Sequence, residues 1–172
     1  NPYVGEKPYI VHLGRLVPVK RHDRLLEAFA LSKIDAKLIL IGEGESREFI
    51  EEKVLSLGLN EKVVFAGMQR NPYAIMKDAR LLVLSSDYEG LSMAILEALA
   101  LGVPVVSTDC PSGPGEILRG YLENALVPVG ETQQLAAMIK KQYETPANIA
   151  TDILKRFDGD QVIGQYIDLM KS

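Results

Sequence analysis

The chain has 172 residues, of which 47% are apolar and 24% charged, so it can bury one core of ordinary size without disulfide or metal cross-links. Its formal net charge of −4 excludes a general electrostatic attraction to nucleic acid or anionic membrane, and any anion site must therefore be local. The single cysteine, Cys110, excludes an internal disulfide and fits a reducing compartment.

Short apolar runs alternate with amphipathic helical patterns along most of the chain. The apolar runs have the length and composition of strands that are buried on both faces of a parallel sheet. Their alternation with helices predicts right-handed βαβ crossovers and one doubly wound, Rossmann-like α/β domain with about six parallel strands. Strands are predicted at residues 9–14, 37–42, 63–67, 80–85, 103–107 and 125–129, and helices at residues 23–31, 46–57, 72–78, 93–101 and 115–119.

The last third of the chain predicts extra helices without strands, at residues 132–143, 148–156 and 161–170. No internal repeat, low-complexity segment or linker interrupts the pattern, so we expect residues 1–172 to form a single domain. The sequence contains no signal peptide and no apolar run of about 18 residues. Because it begins Asn-Pro-Tyr-Val rather than with Met, we expect it to be a piece of a longer protein.

Four cations crowd the start of the first predicted helix: Arg15, Lys20, Arg21 and Arg24. The helix macrodipole disfavours cations there, whereas the free N–H groups of a helix N-terminus attract anions. The pattern therefore favours a site for phosphate or pyrophosphate. A solvated basic loop with Asp23 as the helix N-cap is the alternative that these residues alone leave open.

The loop after the fourth strand leads into a second helix N-terminus. Gly90 allows close backbone approach and Ser92 suits the N-cap position, so this end can also face phosphate. The two helix ends should share one crevice, because they follow neighbouring strands. Glu89 lies just before this helix, and Glu97 lies about one and a half turns inside it.

Glu97 is the one charged residue in the apolar run from Met93 to Leu101. A helix that is hydrophobic all round is normally buried, and an ionised carboxylate there costs several kcal/mol without hydrogen-bond partners. We therefore expect either the protein or a ligand to supply donors to Glu97.

The remaining loops and both histidines have simpler interpretations. Turn chemistry explains the glycines of residues 42–44 and the loop at 67–72, and residues 110–115 predict a rigid loop near the crevice. His12 in a strand and His22 in a loop have no accompanying cluster of metal ligands. The glycine-rich fingerprints of common dinucleotide and triphosphate sites do not occur.

Six motifs follow one another at the predicted strand ends. They are Gly14-Arg15 with Lys20 five residues on, Gly42-Glu43-Gly44, Phe65-Ala66-Gly67, Ser85-Ser86-Asp87-Tyr88-Glu89-Gly90, the pair Glu89 and Glu97, and Ala98 with Gly102-Val103-Pro104-Val105-Val106. Their order and positions, from about Pro8 to Gly130, resemble the donor-binding half of the group 1 (family 4) glycosyltransferases.

The resemblance implies a retaining, metal-independent enzyme of GT-B architecture, which has two Rossmann-like domains. Of these, the present chain would be the C-terminal one. It would hold a nucleotide sugar, with UDP as the expected nucleotide, and no metal or other cofactor is expected. The transferred hexose or N-acetylhexosamine and the identity of the glycan or lipid-linked acceptor are open.

The resemblance also assigns roles to individual residues. Arg15 and Lys20 would bind the donor diphosphate, and Glu97 would accept hydrogen bonds from the ribose hydroxyls. Glu89 would be catalytic and lie against the donor sugar. The backbone N–H groups of Gly90, Leu91 and Ser92 would also bind the diphosphate, and Gly67, Met68 and Gln69 would edge the base.

Two departures from the family pattern matter. The fifth loop reads Cys110-Pro-Ser-Gly-Pro-Gly-Glu116, where many members carry a Gly-Gly pair, and this variant resembles the branch that builds bacterial surface polysaccharides. The N-terminal acceptor domain has no counterpart in these residues, so we expect the chain alone to be inactive. A cytoplasmic location is expected, with peripheral contact at the inner membrane face through that domain.

Three other interpretations stay open at this point. A sugar-nucleotide epimerase shares the GT-B architecture, and a non-catalytic nucleotide-sugar module would use the same binding motifs. A receiver-like regulatory domain would place Asp87 at a strand end, but it needs acidic residues after the first strand, where Gly14 and Arg15 stand.

Overall fold

Six parallel strands form one sheet in the order β3-β2-β1-β4-β5-β6 in the computed structural model, which describes Tyr3 and residues 8–120, 122–149 and 153–157. This order confirms the predicted doubly wound, Rossmann-like α/β fold. The strands are β1 Tyr9–Leu13, β2 Lys37–Ile41, β3 Val63–Gly67, β4 Leu82–Leu84, β5 Val105–Thr108 and β6 Leu126–Val127.

Helices connect the strands as the alternating pattern predicts. The α-helices are α1 His22–Ser32, α2 Arg47–Ser56, α3 Tyr73–Met76, α4 Met93–Ala100, α5 Pro114–Leu118 and α6 Thr132–Glu144. Short 3-10 helices form at Pro18–Lys20, Glu123–Ala125 and Lys155–Phe157.

The prediction of a helix over residues 148–156 is not matched where the structure describes them. Residues 148 and 149 are not helical, and among residues 153–157 the regular element is the 3-10 helix Lys155–Phe157. Residues 150–152 and the helix predicted at residues 161–170 lie outside the described residues.

The sheet has a hydrophobic core on each face, because successive strand residues point to opposite sides. Ile10, Leu38 and Leu40 pack with α1, α2 and α6, whereas Val11 and Ile39 pack with α3, α4 and α5. The strands are therefore buried on both faces, which is why their sequences are continuous apolar runs.

The strand order reverses between β1 and β4. From β1 the chain proceeds to β2 and β3 on one side and then returns to place β4 on the other side of β1. The loops that follow β1 and β4 lead to helices on opposite faces of the sheet, and in open α/β sheets ligands bind in the crevice that such a reversal creates at the carboxyl ends of the strands. Both predicted helix N-termini therefore meet at the same edge, as expected.

Candidate functional site

Lys20 and Glu89 form an ion pair at the carboxyl ends of β1 and β4. The Lys20 Nζ atom lies 2.7 Å from Glu89 Oε1 and 2.8 Å from Oε2. The Ser86 hydroxyl donates a further hydrogen bond of 2.6 Å to Glu89 Oε1. Glu89 is only 8% exposed, so the ammonium and the hydroxyl compensate a carboxylate that has lost most of its hydration.

The β4–α4 loop (residues 85–92) holds the β1–α1 loop (residues 14–21) in place. The hydroxyl of Ser85 donates to the carbonyl oxygens of Lys20 and Arg21, at 2.8 and 2.9 Å. The Asp87 N–H donates to the Val19 carbonyl at 2.9 Å. These contacts fix the backbone that carries Lys20, and they accommodate Arg21 in the left-handed region at φ 50°.

Besides Lys20, two further cations near α1 form ion pairs with carboxylates. The guanidinium of Arg21 donates hydrogen bonds to the carboxylates of Asp23 and Asp87. Arg24 is 6% exposed, and its guanidinium donates to Asp87 Oδ1 at 2.8 Å. The hydrogen bonds from Arg21 lower the pKa of Asp23. Arg21 and Arg24 are thus held by carboxylates, and the interpretation of all four cations as one anion site stays a prediction. Arg21 rather than Asp23 occupies the N-cap position of α1.

Arg15 keeps an exposed side chain, with no ion pair to any residue that the structure describes. Its backbone position depends on two glycines of the β2–α2 loop (residues 42–46). A Cβ atom on Gly42 would lie 2.0 Å from the Gly14 carbonyl oxygen, and one on Gly44 would lie 2.3 Å from the Leu16 carbonyl oxygen. Interpreting these glycines as simple turn residues was incomplete, because they allow this loop to support the β1–α1 loop.

The N-terminus of α4 offers unpaired backbone donors beside this ion pair. The N–H groups of Gly90, Leu91 and Ser92 make no hydrogen bond to another backbone group within the described ranges. Ser92 occupies the N-cap position as predicted, although its side chain does not hydrogen-bond the helix. Free N–H groups at a helix N-terminus form an anion-binding surface.

Glu97 is half-buried, and the expectation that α4 is buried on every face is wrong. Met93 at the start of the helix is 56% exposed, and Ala100 at its end is exposed too. Tyr73 on α3 donates its hydroxyl to Glu97 Oε1 at 3.1 Å, which raises the pKa of Tyr73. The protein therefore supplies one donor, and the carboxylate faces an open groove of about 490 Å³ between α4 and Phe157.

The residues predicted to edge the base lie at the same end of the sheet, two strands away from β1. Gly67 adopts φ 67°, and the next residue, Met68, has a side chain that is 80% exposed. Gln69 donates its side-chain amide to the Ala66 carbonyl. A hydrogen bond of 2.9 Å from Gly42 N–H to the Gly67 carbonyl connects this loop to the β2–α2 loop.

Thr108 belongs to the site although the sequence analysis did not select it. It ends β5, is 1% exposed, and its hydroxyl donates to the Ser86 carbonyl at 2.6 Å. It thereby fixes the turn from which Glu89 projects. Its position in the sequence could have indicated this role. Thr108 is a small polar residue at the end of an apolar strand, and ligands bind at that edge of a parallel sheet.

His12 and His22 form a buried pair behind Lys20. Their rings meet edge to face with centroids 4.6 Å apart, and the Nε2 atom of each lacks a partner among the described residues. Burial, with a smaller contribution from the charge of Lys20, lowers the pKa of His12 to about 4 and that of His22 to about 2. His22 is the first residue of α1, so its predicted position in a loop is wrong.

Acidification from about pH 7.5 to about pH 5 should destabilise the fold through these histidines. Each pKa lies near 6.5 in the unfolded chain and is depressed in the folded one, so the stabilisation is complete above pH 6.5 and is lost as the pH falls toward the folded pKa. The expected loss is about 2 kcal/mol per histidine in the free energy of unfolding, measured by urea titration. A His22→Phe variant should lose less on acidification, and parallel pH profiles for both proteins would contradict this cause.

No group of three or more potential metal-ligating side chains occurs in the part of the chain that the structure describes. Within the same residues, no helix has both the length and the apolar character needed to cross a membrane.

A family model described as "Glycosyl transferases group 1" matches residues 1–156 of this chain. An uncharacterized glycosyltransferase of Methanocaldococcus jannaschii is 40% identical over 111 residues, which make up 63% of this chain and 27% of that protein. A similar protein of Campylobacter jejuni, N-acetylgalactosamine-N,N'-diacetylbacillosaminyl-diphospho-undecaprenol 4-alpha-N-acetylgalactosaminyltransferase, is 33% identical over 79% of this chain and 37% of its own length. The chain thus spans less than half the length of these relatives.

Solved structures show the same arrangement of strands and helices. HepE of Anabaena in complex with UDP is 26% identical, with a TM-score of 0.82 over 96% of this chain and 49% of that one. TarM of Staphylococcus aureus, solved with UDP and other ligands, has a TM-score of 0.86 at 23% identity and supports the fold alone.

Proposed function

Because the chain belongs to the group 1 glycosyl transferases, we propose that it is the donor-binding domain of a retaining glycosyltransferase. The substrate would be a nucleoside-diphosphate sugar, with UDP as the nucleotide. A hexose or an N-acetylhexosamine would pass to a glycan or lipid-linked acceptor at the cytoplasmic side of a membrane.

The observation that carries this proposal is the arrangement around Lys20. Its ammonium lies at the carboxyl ends of the two strands where the sheet order reverses, next to the free N–H groups of residues 90–92. Arg15 adds an exposed guanidinium on the same loop. Cations and backbone N–H donors that lie close together suit the binding of a diphosphate. Because the chain's net charge is −4, attraction of an anion must come from such a local cluster.

In this proposal the nucleoside extends from the diphosphate along α4. The half-buried carboxylate of Glu97 accepts hydrogen bonds from the ribose 2′- and 3′-hydroxyls, and Tyr73 holds one of its oxygens. The uracil base packs near Gly67, Met68 and Gln69. The UDP complex of HepE supports UDP as the nucleotide, because it shares this chain's fold at 26% identity.

The proposed chemistry consists of breaking the bond between the anomeric carbon and the diphosphate oxygen. The electron pair of that bond stays on the diphosphate, and the acceptor oxygen forms a bond to the anomeric carbon on the same face. The acceptor's proton passes to the departing diphosphate oxygen. Arg15, Lys20 and the N–H groups of residues 90–92 stabilise the negative charge that develops on the diphosphate, so the step requires no metal. The Glu89 carboxylate fixes the position of the Lys20 ammonium through two hydrogen bonds and would lie beside the donor sugar.

Titration calorimetry of the chain with UDP in the presence of EDTA tests the proposed function. We expect saturable binding without added divalent metal, because the cations are built into the two loops. Heat that appears with another nucleoside diphosphate but not with UDP would overturn the choice of base. Absence of binding to every nucleoside diphosphate would remove the donor site.

The variant Glu97→Gln should weaken UDP binding by about 1.5–3 kcal/mol, because a neutral amide replaces the charged acceptor of the ribose hydroxyls. Folding should be retained, since Glu97 is only half-buried. The matched control is Glu52→Gln on α2, an exposed glutamate far from the crevice, which should bind UDP like the unchanged chain. Equal affinity of the Glu97→Gln and Glu52→Gln variants would show that Glu97 does not bind the ribose.

A further inference from the structure

The β5–α5 loop (residues 109–113) lies directly against the proposed diphosphate-binding backbone of residues 90–92. A Cβ atom on Gly113 would stand 2.0 Å from the Gly90 carbonyl oxygen and 3.3 Å from the Ser92 nitrogen. No heavy atom tolerates a contact of 2.0 Å, and the obstructing atoms belong to backbone rather than to a flexible side chain. Only glycine at position 113 therefore permits the observed position of residues 90–92.

The backbone of Gly113 is also held in a conformation that few residues adopt. Its dihedral angles are φ 57° and ψ −86°, close to those of a strained γ-turn, and the preceding residue, Ser112, has φ 64°. Glycine adopts a positive φ readily, whereas a residue with a Cβ atom does not. Pro114 follows directly as the first residue of α5 and is buried, which restricts the loop from the other side.

Anchors at the start of the β5–α5 loop hold it in place. The Asp109 N–H donates to the Val127 carbonyl at 2.7 Å, and the Asp109 carboxylate accepts two bonds from Arg119, at 2.9 and 2.7 Å. At the end of β5, Thr108 donates to the Ser86 carbonyl of the β4–α4 loop at 2.6 Å. The β5–α5 loop is thus a fixed surface against which residues 90–92 rest.

We propose that the β5–α5 loop acts as a brace for the diphosphate-binding backbone of residues 90–92, with Gly113 as its positioning residue. This inference rests on the proposed function. The brace supplies no group to the ligand itself. It fixes the direction of the N–H groups of Gly90, Leu91 and Ser92, and a rigid array of donors binds an anion better than one that must be ordered on binding.

The test compares Gly113→Ala with Gly58→Ala. Both glycines have a positive φ, 57° and 64°, so Gly58→Ala controls for the cost of alanine at a positive φ. The ψ of −86° adds strain at Gly113, and the comparison of UDP with uridine separates that general effect from a displacement of residues 90–92. A Cβ atom on Gly58 would meet nothing within 4 Å among the described residues, so only the Gly113 variant must displace residues 90–92. Binding of UDP and of uridine, which lacks phosphate, is measured for both variants by NMR titration.

We expect Gly113→Ala to bind UDP about ten- to a hundredfold more weakly than Gly58→Ala, as for the loss of one or two charge-assisted hydrogen bonds. Uridine binding should be the same for both variants, which a general structural defect would not allow. Equal UDP affinities, or equal losses of UDP and uridine binding, would overturn the brace. Absence of UDP binding by the unchanged chain would instead remove the proposed function.

A second variant keeps the inference testable if Gly113→Ala does not fold. Thr108→Val preserves the shape of the side chain but removes its hydrogen bond to the Ser86 carbonyl. We expect a loss of UDP affinity of about three- to tenfold with uridine binding unchanged. An unchanged UDP affinity in Thr108→Val would contradict the role of this end of β5 in positioning the β4–α4 loop.

Discussion

The 172-residue chain should bind a UDP-sugar without transferring the sugar to an acceptor. The relatives with which it aligns are more than twice as long, and we propose that the described residues supply only the donor side of the cleft. Placing an acceptor hydroxyl against the anomeric carbon in a closed cleft lowers a barrier by roughly 7–11 kcal/mol, and we expect that contribution to be missing. Slow hydrolysis of the donor by water is the most that the chain should catalyse.

Product formation from a labelled UDP-sugar and a pool of oligosaccharide and lipid-linked acceptors measures this expectation. A complete group 1 relative, assayed with its own donor and acceptor, is the positive control. Joining the chain to the N-terminal half of such a relative should restore transfer. Robust transfer by the 172-residue chain alone would show that one Rossmann-like domain suffices.

Replacing Lys20 with Met should weaken UDP binding by about 3 kcal/mol, or about a hundredfold. The substitution removes the cation nearest to the proposed diphosphate and leaves the Glu89 carboxylate, 8% exposed, without its ion-pair partner. An uncompensated carboxylate next to the site repels an incoming anion, so two effects act in the same direction. Calorimetry in EDTA gives the affinity, and circular dichroism checks the fold.

Two further variants separate these effects. Lys53→Met removes a lysine that also forms an ion pair, with Glu27 between α1 and α2, and it should leave UDP affinity unchanged. The double variant Lys20→Met/Glu89→Gln should recover part of the affinity that Lys20→Met loses, because the repelling carboxylate is gone. Equal UDP affinities of Lys20→Met and Lys53→Met would show that the diphosphate binds elsewhere.

Most of the fold could be predicted from the sequence because its strands are buried on both faces. Runs such as Lys37–Ile41 and Val63–Gly67 are continuous, apolar and of strand length, and helical patterns separate them. The helix predicted over residues 148–156 shows the limit of such patterns. Helical periodicity in a short segment does not fix its structure, because most of a helix's stability comes from the surface against which it packs.

The positions of the site residues could also be predicted, but their partners could not. Lys20 and Glu89 each follow a strand, so both had to lie at the carboxyl edge of the sheet. Their ion pair joins residues 69 positions apart, and the pair of Arg24 with Asp87 joins residues 63 positions apart. Such contacts depend on the conformations of two loops that are far apart in the sequence, which no local pattern shows.

Glu97 illustrates a different limit. Its apolar surroundings in the sequence suggested burial, whereas the structure leaves Met93 exposed and Glu97 half-buried on the same helix. Hydrophobic composition predicts that a helix has an apolar surface, but it does not tell whether protein or a ligand covers that surface.

An NMR titration of the 15N-labelled chain with UDP in EDTA tests the donor site most directly. We predict that the largest changes in amide chemical shift occur at Arg15, Lys20 and residues 90–92, in the crevice at the carboxyl ends of β1 and β4. Smaller changes should follow at Glu97 on α4. Amides of α6 (Thr132–Glu144), which lies away from this crevice, should change little. Shifts concentrated in α6 or at residues 146–149, with the β1–α1 and β4–α4 loops unaffected, would contradict a donor site in this crevice.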